Sequence, residues 1–187
     1  MPDRNTTVVI IGGAGDLAQR KLVPALLTLA RKRRVAEDLR VVGFSRRNLT
    51  DAAYRDLMWD ATRDVADLGV SRGEWHDFAR RLYFVSGDLN SRADFEALGT
   101  RLDQLESDQA RPCNRLYYLS VGPDIFEPAL TNLAQAGLAA DSPGWRRVVI
   151  EKPFGSNLAT ARNLNLCVRS VFAENQIYRI DHFLGKE

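Results

Sequence analysis

The stretch Val8–Ala18, VVIIGGAGDLA, constrains this chain more than any other. Four consecutive apolar residues, Val8–Ile11, run into a glycine cluster, and Leu22, Leu26 and Leu29 then recur at i, i+4 and i+7. A short apolar strand, a glycine turn and a helix form the opening of a βαβ unit. Written Gly13-x-Gly15-x-x-Ala18, the turn carries a complete dinucleotide-site fingerprint. Gly13 and Gly15 are expected to let backbone N–H groups approach a pyrophosphate, and Ala18 to let the helix pack close to the strand. The helix N-terminus adds partial positive charge where the phosphates would sit. An ordinary strand–helix turn can also use a glycine triplet; the flanking strand and helix favour the dinucleotide.

At 187 residues the chain suits one large domain, or one domain with the start of another. Apolar residues make up 45% and charged residues 27%, the balance of a soluble globular protein. A formal net charge of +2 gives no argument for a nucleic-acid partner. Its apolar runs are too short to span a membrane, and MPDRNTT lacks the apolar core of a secretory signal, so no membrane partner is expected. The basic run Arg31–Arg34 falls where the first helix should end, as the helix dipole favours. Cys113 and Cys167 form no ligand cluster, and reduced thiols in a cytoplasmic protein are the expectation. With only His76 and His182 available, no metal site is expected.

Further strands are predicted at Leu39–Ser45, Leu82–Ser86, Arg115–Val121, Arg146–Glu151 and Gln176–Ile180. Between them fall helices from Asn48 or Thr50 to about Asp67, from Ser71 to about Arg80, and from Ser91 to about Glu106. Two more run from about Ile125 to Ala136 and from Asn157 to about Phe172. Pro24 lies inside the first helical pattern and must either kink that helix or begin its main part. The alternation predicts an α/β fold: a Rossmann-type, doubly wound parallel sheet with helices on both faces. The chain ends at Gly185-Lys186-Glu187, just after a charged cluster, which reads as a fragment or a protein lacking a second domain.

An NAD site usually places Asp or Glu at the end of the second strand to hold the ribose 2′-hydroxyl. Here that position reads Phe44-Ser45-Arg46-Arg47. Two guanidiniums can hold a 2′-phosphate and stack on adenine, and Ser45 can add a hydroxyl donor. NADP is therefore the expected cofactor.

With these features in view, the sequence resembles the N-terminal part of glucose-6-phosphate dehydrogenase. The likeness rests on Gly12-x-x-Gly15-Asp16-Leu17-Ala18 with Arg20-Lys21 and Pro24, and on Gly43-Phe44-Ser45-Arg46. It continues through Asn114–Leu119 (NRLYYL), Glu151–Gly155 (EKPFG) and Gln176–Glu187 (QIYRIDHFLGKE). The resemblance implies NADP-dependent oxidation of glucose 6-phosphate at C1 to a lactone, the first step of the oxidative pentose phosphate pathway. It also implies that residues 1–175 form the cofactor domain and 176–187 begin an α+β substrate domain, through which subunits pair as a homo-oligomer.

By the same resemblance the cofactor would be held by Gly12, Gly13, Gly15, Asp16, Leu17, Lys21, Ser45, Arg46, Pro123 and Lys152. Arg46, with Lys21, would take the 2′-phosphate. Lys152 would lie between nicotinamide and sugar, with a cis bond to Pro153. His182 and Lys186 would bind the sugar phosphate, and Asp181 would orient a histidine base that family members carry beyond the counterpart of Glu187. Three positions depart from the family pattern: Gln19 for a common lysine, Gly122 for the first proline of a pair, and Phe183 for a frequent tyrosine. The competing expectations are a catalytically silent NADP-binding module, or a related enzyme acting on another phosphorylated sugar or a nucleotide sugar.

Overall fold

A computed structural model describes residues 5–63, 65, 68–108, 112–140, 143–152, 154–155 and 157–180. The chain opens with strand β1 (Thr6–Ile11), a glycine turn, a π-helical turn at Ala18–Leu22 and helix α1 (Val23–Arg31). It continues through β2 (Arg40–Ser45), α2 (Asp51–Arg63), α3 (Arg72–Ala79), β3 (Leu82–Ser86) and α4 (Arg92–Glu106). The rest is β4 (Asn114–Leu119), α5 (Pro123–Gln135), β5 (Arg146–Glu151), α6 (Leu158–Val171) and β6 (Ile177–Ile180). The strands form one sheet in the order β3-β2-β1-β4-β5-β6, and every neighbouring pair is parallel. The sheet thus runs to Ile180; residues 181–187 lie outside the described residues.

Alternation along the strands divides the core in two. Val8, Ile10, Val41, Leu82 and Phe84 pack with Val23, Leu27, Tyr54, Met58 and Phe78 from α1, α2 and α3. Val9, Ile11, Phe44, Tyr117, Leu119 and Ile150 face the opposite side, among Phe95, Leu98, Leu130, Leu133 and Val168 from α4, α5 and α6. All of β1 is buried, which explains its unbroken apolar run. Each fully buried Val, Ile or Phe contributes about 1.5–3 kcal/mol. Strand order reverses between β1 and β4, so a crevice opens at their carboxyl ends.

Caps set the helix starts as the sequence predicts. Ser71 and Glu74 form a capping box on α3, Ser91 accepts from the Asp94 N–H, and Asn157 with Thr160 caps α6. Thr50, rather than Asn48, caps α2: its Oγ1 accepts from Ala53 N–H at 3.2 Å. Some boundaries differ from expectation. Helix α2 ends at Arg63 rather than near Asp67, and Leu68 and Val70 pack against the core. Helix α5 begins at Pro123, where a missing backbone donor costs nothing, and ends before Gly137 at φ 70°. Gln176 lies in a 3₁₀ turn rather than in β6; its side chain donates to the Arg146 carbonyl at 3.0 Å.

Pro24 does begin the main helix. The π-helical turn precedes it, and Pro24 occupies the second position of α1, where its absent N–H breaks no interior bond. The basic run Arg31–Arg34 lies exposed at the α1 C-terminus. Both cysteines are free thiols. Among the described residues no helix is long and apolar enough to cross a membrane, and no cluster of His, Cys, Asp or Glu could hold a metal ion.

Candidate functional site

The turn after β1 is built on contacts that side chains would block. Gly12 adopts φ 87°, and its N–H and that of Gly13 both donate to the Phe44 carbonyl, at 2.8 and 3.1 Å. A Cβ on Gly12 would lie 2.3 Å from the Ser120 carbonyl oxygen. On Gly13 it would lie 2.4 Å from the Gly43 Cα, so this glycine's small size is spent on packing against β2. Gly13, expected to let its N–H approach the pyrophosphate, is buried instead, and Gly15 is exposed at the crevice. Gly15 N–H donates to the Gly12 carbonyl at 2.8 Å, and Gln19 N–H to the Gly15 carbonyl at 3.1 Å, which starts the helix. Ala18 is fully buried in the core behind that start.

Two residues brace this turn through contacts that no local pattern shows. Tyr54, fully buried on α2, donates its hydroxyl to the Gly13 carbonyl at 3.0 Å. Its ring fills the space beside Gly43, and burial pushes its phenol well above the ordinary range. Gln19 donates to the Ala14 carbonyl at 2.9 Å, so the residue that stands for a common lysine holds the loop itself. Tyr54→Phe is expected to cost about 1–2 kcal/mol by stranding a buried carbonyl. Thermal unfolding measures this, and an unchanged midpoint would remove the hydroxyl from the account.

From the turn a groove of about 500 Å³ runs toward β2 and β3, lined by Gly15, Ser45, Arg46, Arg47, Asp88 and Ser120 among others. Arg46 and Arg47 are exposed. The loop bearing them is tied to β3: Ser86 Oγ donates to the Arg47 carbonyl at 2.8 Å, and Gly87 N–H to the Ser45 carbonyl at 3.0 Å. The Ser45 and Ser120 hydroxyl oxygens are buried with no hydrogen-bond partner. Buried polar atoms are paired as a rule, so two orphans at one groove suit a polar ligand.

A second hollow of about 240 Å³ lies toward β5, lined by Leu17, Ser120, Val121, Gly122, Phe126 and Lys152 among others. It shares Ser120, Val121 and Gly122 with the first, so the two hollows adjoin and together make a trough along the carboxyl ends of β2, β1, β4 and β5. Pro123 opens α5 just after the shared residues. Lys152 follows β5, where buried Glu151 accepts a short hydrogen bond from the Tyr118 hydroxyl. Asp16 pairs with Arg20 at 2.7 Å on the exposed first turn, and Lys21 is exposed beside it. Asp181, His182, Lys186, Phe183 and Pro153 lie outside the described residues. A larger groove of about 840 Å³ between α5 and α6 has Asp124 and Glu127 but no cationic side chain among the described residues of its lining. It is therefore ill suited to a phosphorylated ligand.

A parallel, doubly wound sheet with a glycine turn at its switch point defines the dinucleotide-binding class of α/β domain. Comparison with known proteins narrows this. Residues 9–187 match the family model described as glucose-6-phosphate dehydrogenase, NAD binding domain, and the chain belongs to that family. It is 37% identical over 187 residues to glucose-6-phosphate 1-dehydrogenase of Aggregatibacter actinomycetemcomitans, covering 100% of this chain and 37% of the relative. With the Bacillus subtilis enzyme it shares 37% identity over 180 residues, 96% of this chain and 36% of the relative. A solved glucose-6-phosphate dehydrogenase in complex with glucose 6-phosphate superposes with a TM-score of 0.87 at 28% identity, covering 99% of this chain and 38% of that one. The Mycobacterium avium enzyme gives 0.82 at 31%, covering 97% and 37%. The chain thus spans a little over a third of the length of these relatives.

Proposed function

We propose that this chain forms the NADP-binding domain of a glucose-6-phosphate dehydrogenase, the enzyme that oxidises C1 of glucose 6-phosphate to the lactone. The observation that carries the reading is the pair of adjoining hollows, with guanidiniums and an unpartnered Ser45 hydroxyl in one and Lys152 in the other. Arg46, Ser45 and Lys21 would hold the 2′-phosphate. Gly12, Gly15, Asp16 and Leu17 would line the pyrophosphate, with Gly13 setting the turn, and Pro123 would border the nicotinamide ribose. Lys152 would hydrogen-bond the sugar; His182 and Lys186 would take its phosphate, and Asp181 would orient the base. When bound, NADP supplies the hydride acceptor.

His76 does not serve as that base: its exposed side chain on α3 lies outside the trough lining. The resemblance puts the base in the part of the relatives this chain does not span. A cytoplasmic location and pairing of subunits go with the same reading. Calorimetric titration with NADP and NAD tests it: NADP should bind more tightly, and equal affinities would overturn the cofactor assignment. Turnover by this chain should be negligible, falling at least about 10²–10⁴-fold below that of a full-length relative, the usual share of general base catalysis alone. Comparable rates at matched subunit concentration would refute that half.

A further inference from the structure

The loop between β3 and α4 offers two polar groups that no described residue satisfies, and both belong to residues bordering the groove. Asp88 Oδ1 accepts two hydrogen bonds from Asn90, from its backbone N–H and its side-chain amide, each at 3.0 Å. Its Oδ2 takes part in none among the described residues. Leu89 is fixed on two sides. Its side chain lies in the core, and its carbonyl accepts from Asn132 Nδ2 at 3.0 Å. Its backbone N–H has no acceptor among the described residues, although the residue is only 8% exposed. Both groups are thus open to a partner from outside the chain, in the groove that these residues line.

The loop is rigid enough to read a ligand edge. Asp88 N–H donates to Asp94 Oδ2 at 2.7 Å, and a Cβ on Gly87 would lie 2.4 Å from the Phe44 ring. The Asn90 amides hold the Asp88 carboxyl below its ordinary range, with Arg46 adding to the effect, so the free oxygen is an anionic acceptor. A carboxylate acceptor followed by a backbone donor matches one purine edge and opposes the other. Adenine presents a 6-amino donor beside the N1 acceptor. Hypoxanthine and guanine present the reverse, a 6-oxo acceptor beside an N1–H donor.

We propose that Asp88 and Leu89 read the adenine edge of the cofactor, Oδ2 accepting from the 6-amino group and the Leu89 N–H donating to N1. The site then selects adenine over 6-oxopurine dinucleotides while Arg46 holds the 2′-phosphate and stacks on the base. This rests on the NADP reading above.

The test titrates this chain with NADP and with nicotinamide hypoxanthine dinucleotide phosphate, which differ only at position 6 and the N1 proton. The analogue should bind at least about tenfold more weakly, because two donor–acceptor pairs become clashes. Asp88→Asn keeps the acceptor used by Asn90 and turns the free oxygen into a donor, so it should narrow that ratio by about tenfold, with its melting curve checking the fold. Equal binding of the two dinucleotides by the unaltered chain overturns the base reading and leaves the cofactor reading standing. If neither binds, both fall. A ratio unmoved by Asp88→Asn in a folded variant removes Asp88 from the edge.

Discussion

Replacing Arg46 with alanine is expected to weaken NADP binding roughly 10- to 100-fold, the loss of one or two charge-assisted bonds to a phosphate. NAD lacks the 2′-phosphate and loses only the stacking share, so its affinity should fall by no more than about fivefold. The two losses separate the roles of one side chain. Arg46→Lys refines the separation, because lysine keeps the charge but gives up the flat face and the fork of donors. It should recover part of the NADP affinity and none of the stacking. Calorimetry with both cofactors on the three proteins reads this directly. A parallel loss for NADP and NAD would move the 2′-phosphate elsewhere on the trough.

The second large effect is on stability and lies at the opposite end of the sheet. Arg115 on β4 donates to Glu106 from Nε at 3.2 and 3.1 Å, and from Nη2 at 2.7 Å. Thr7 adds its hydroxyl to the same carboxylate at 2.8 Å. The Arg115 and Glu106 side chains are only 7% and 8% exposed. Glu106 ends α4, where the helix dipole disfavours an anion, so Arg115 and Thr7 must compensate it. Glu106→Ala leaves a buried guanidinium whose remaining carboxylate partner among the described residues is Asp103 at 2.6 Å, with a side chain 75% exposed and screened by water. The expected cost is about 3–5 kcal/mol, or about 6–20 °C in Tm for a domain of this size. Asp103→Ala should cost less than about 1 kcal/mol. Denaturant and thermal unfolding of the two variants check the order; equal costs would mean the buried pair is not the anchor.

Features decided by bonds a few residues long were legible from the chain. The caps at Ser71, Ser91 and Asn157 involve residues three apart, and all three hold in the structure. Pro24 shows the limit: its chemistry demands an interruption, but only packing decides that a π-helical turn absorbs it. Gly13 shows another. The glycine pattern is local, whereas the atom that forbids a side chain there is the Gly43 Cα, thirty residues on. Tyr54 and Asp88 give no signal at all as sequence, because a buried tyrosine and a loop aspartate are ordinary residues until something faces them.

By itself the sequence determined the kinds of element, their order and the chemical character of the site. Apolar runs, glycines and caps act through near neighbours, and the arginines after β2 carry their charge wherever they are placed. The tertiary structure alone decided which glycine is buried and which is open to the groove, and which hydroxyls are left without partners. It also brought Ser45 and Ser120 to one groove and Glu106 beneath Arg115. The physical reason is that parallel strands pair across long connections, so the side chains that meet at either end of the sheet are set by strand order and register, which no local pattern encodes.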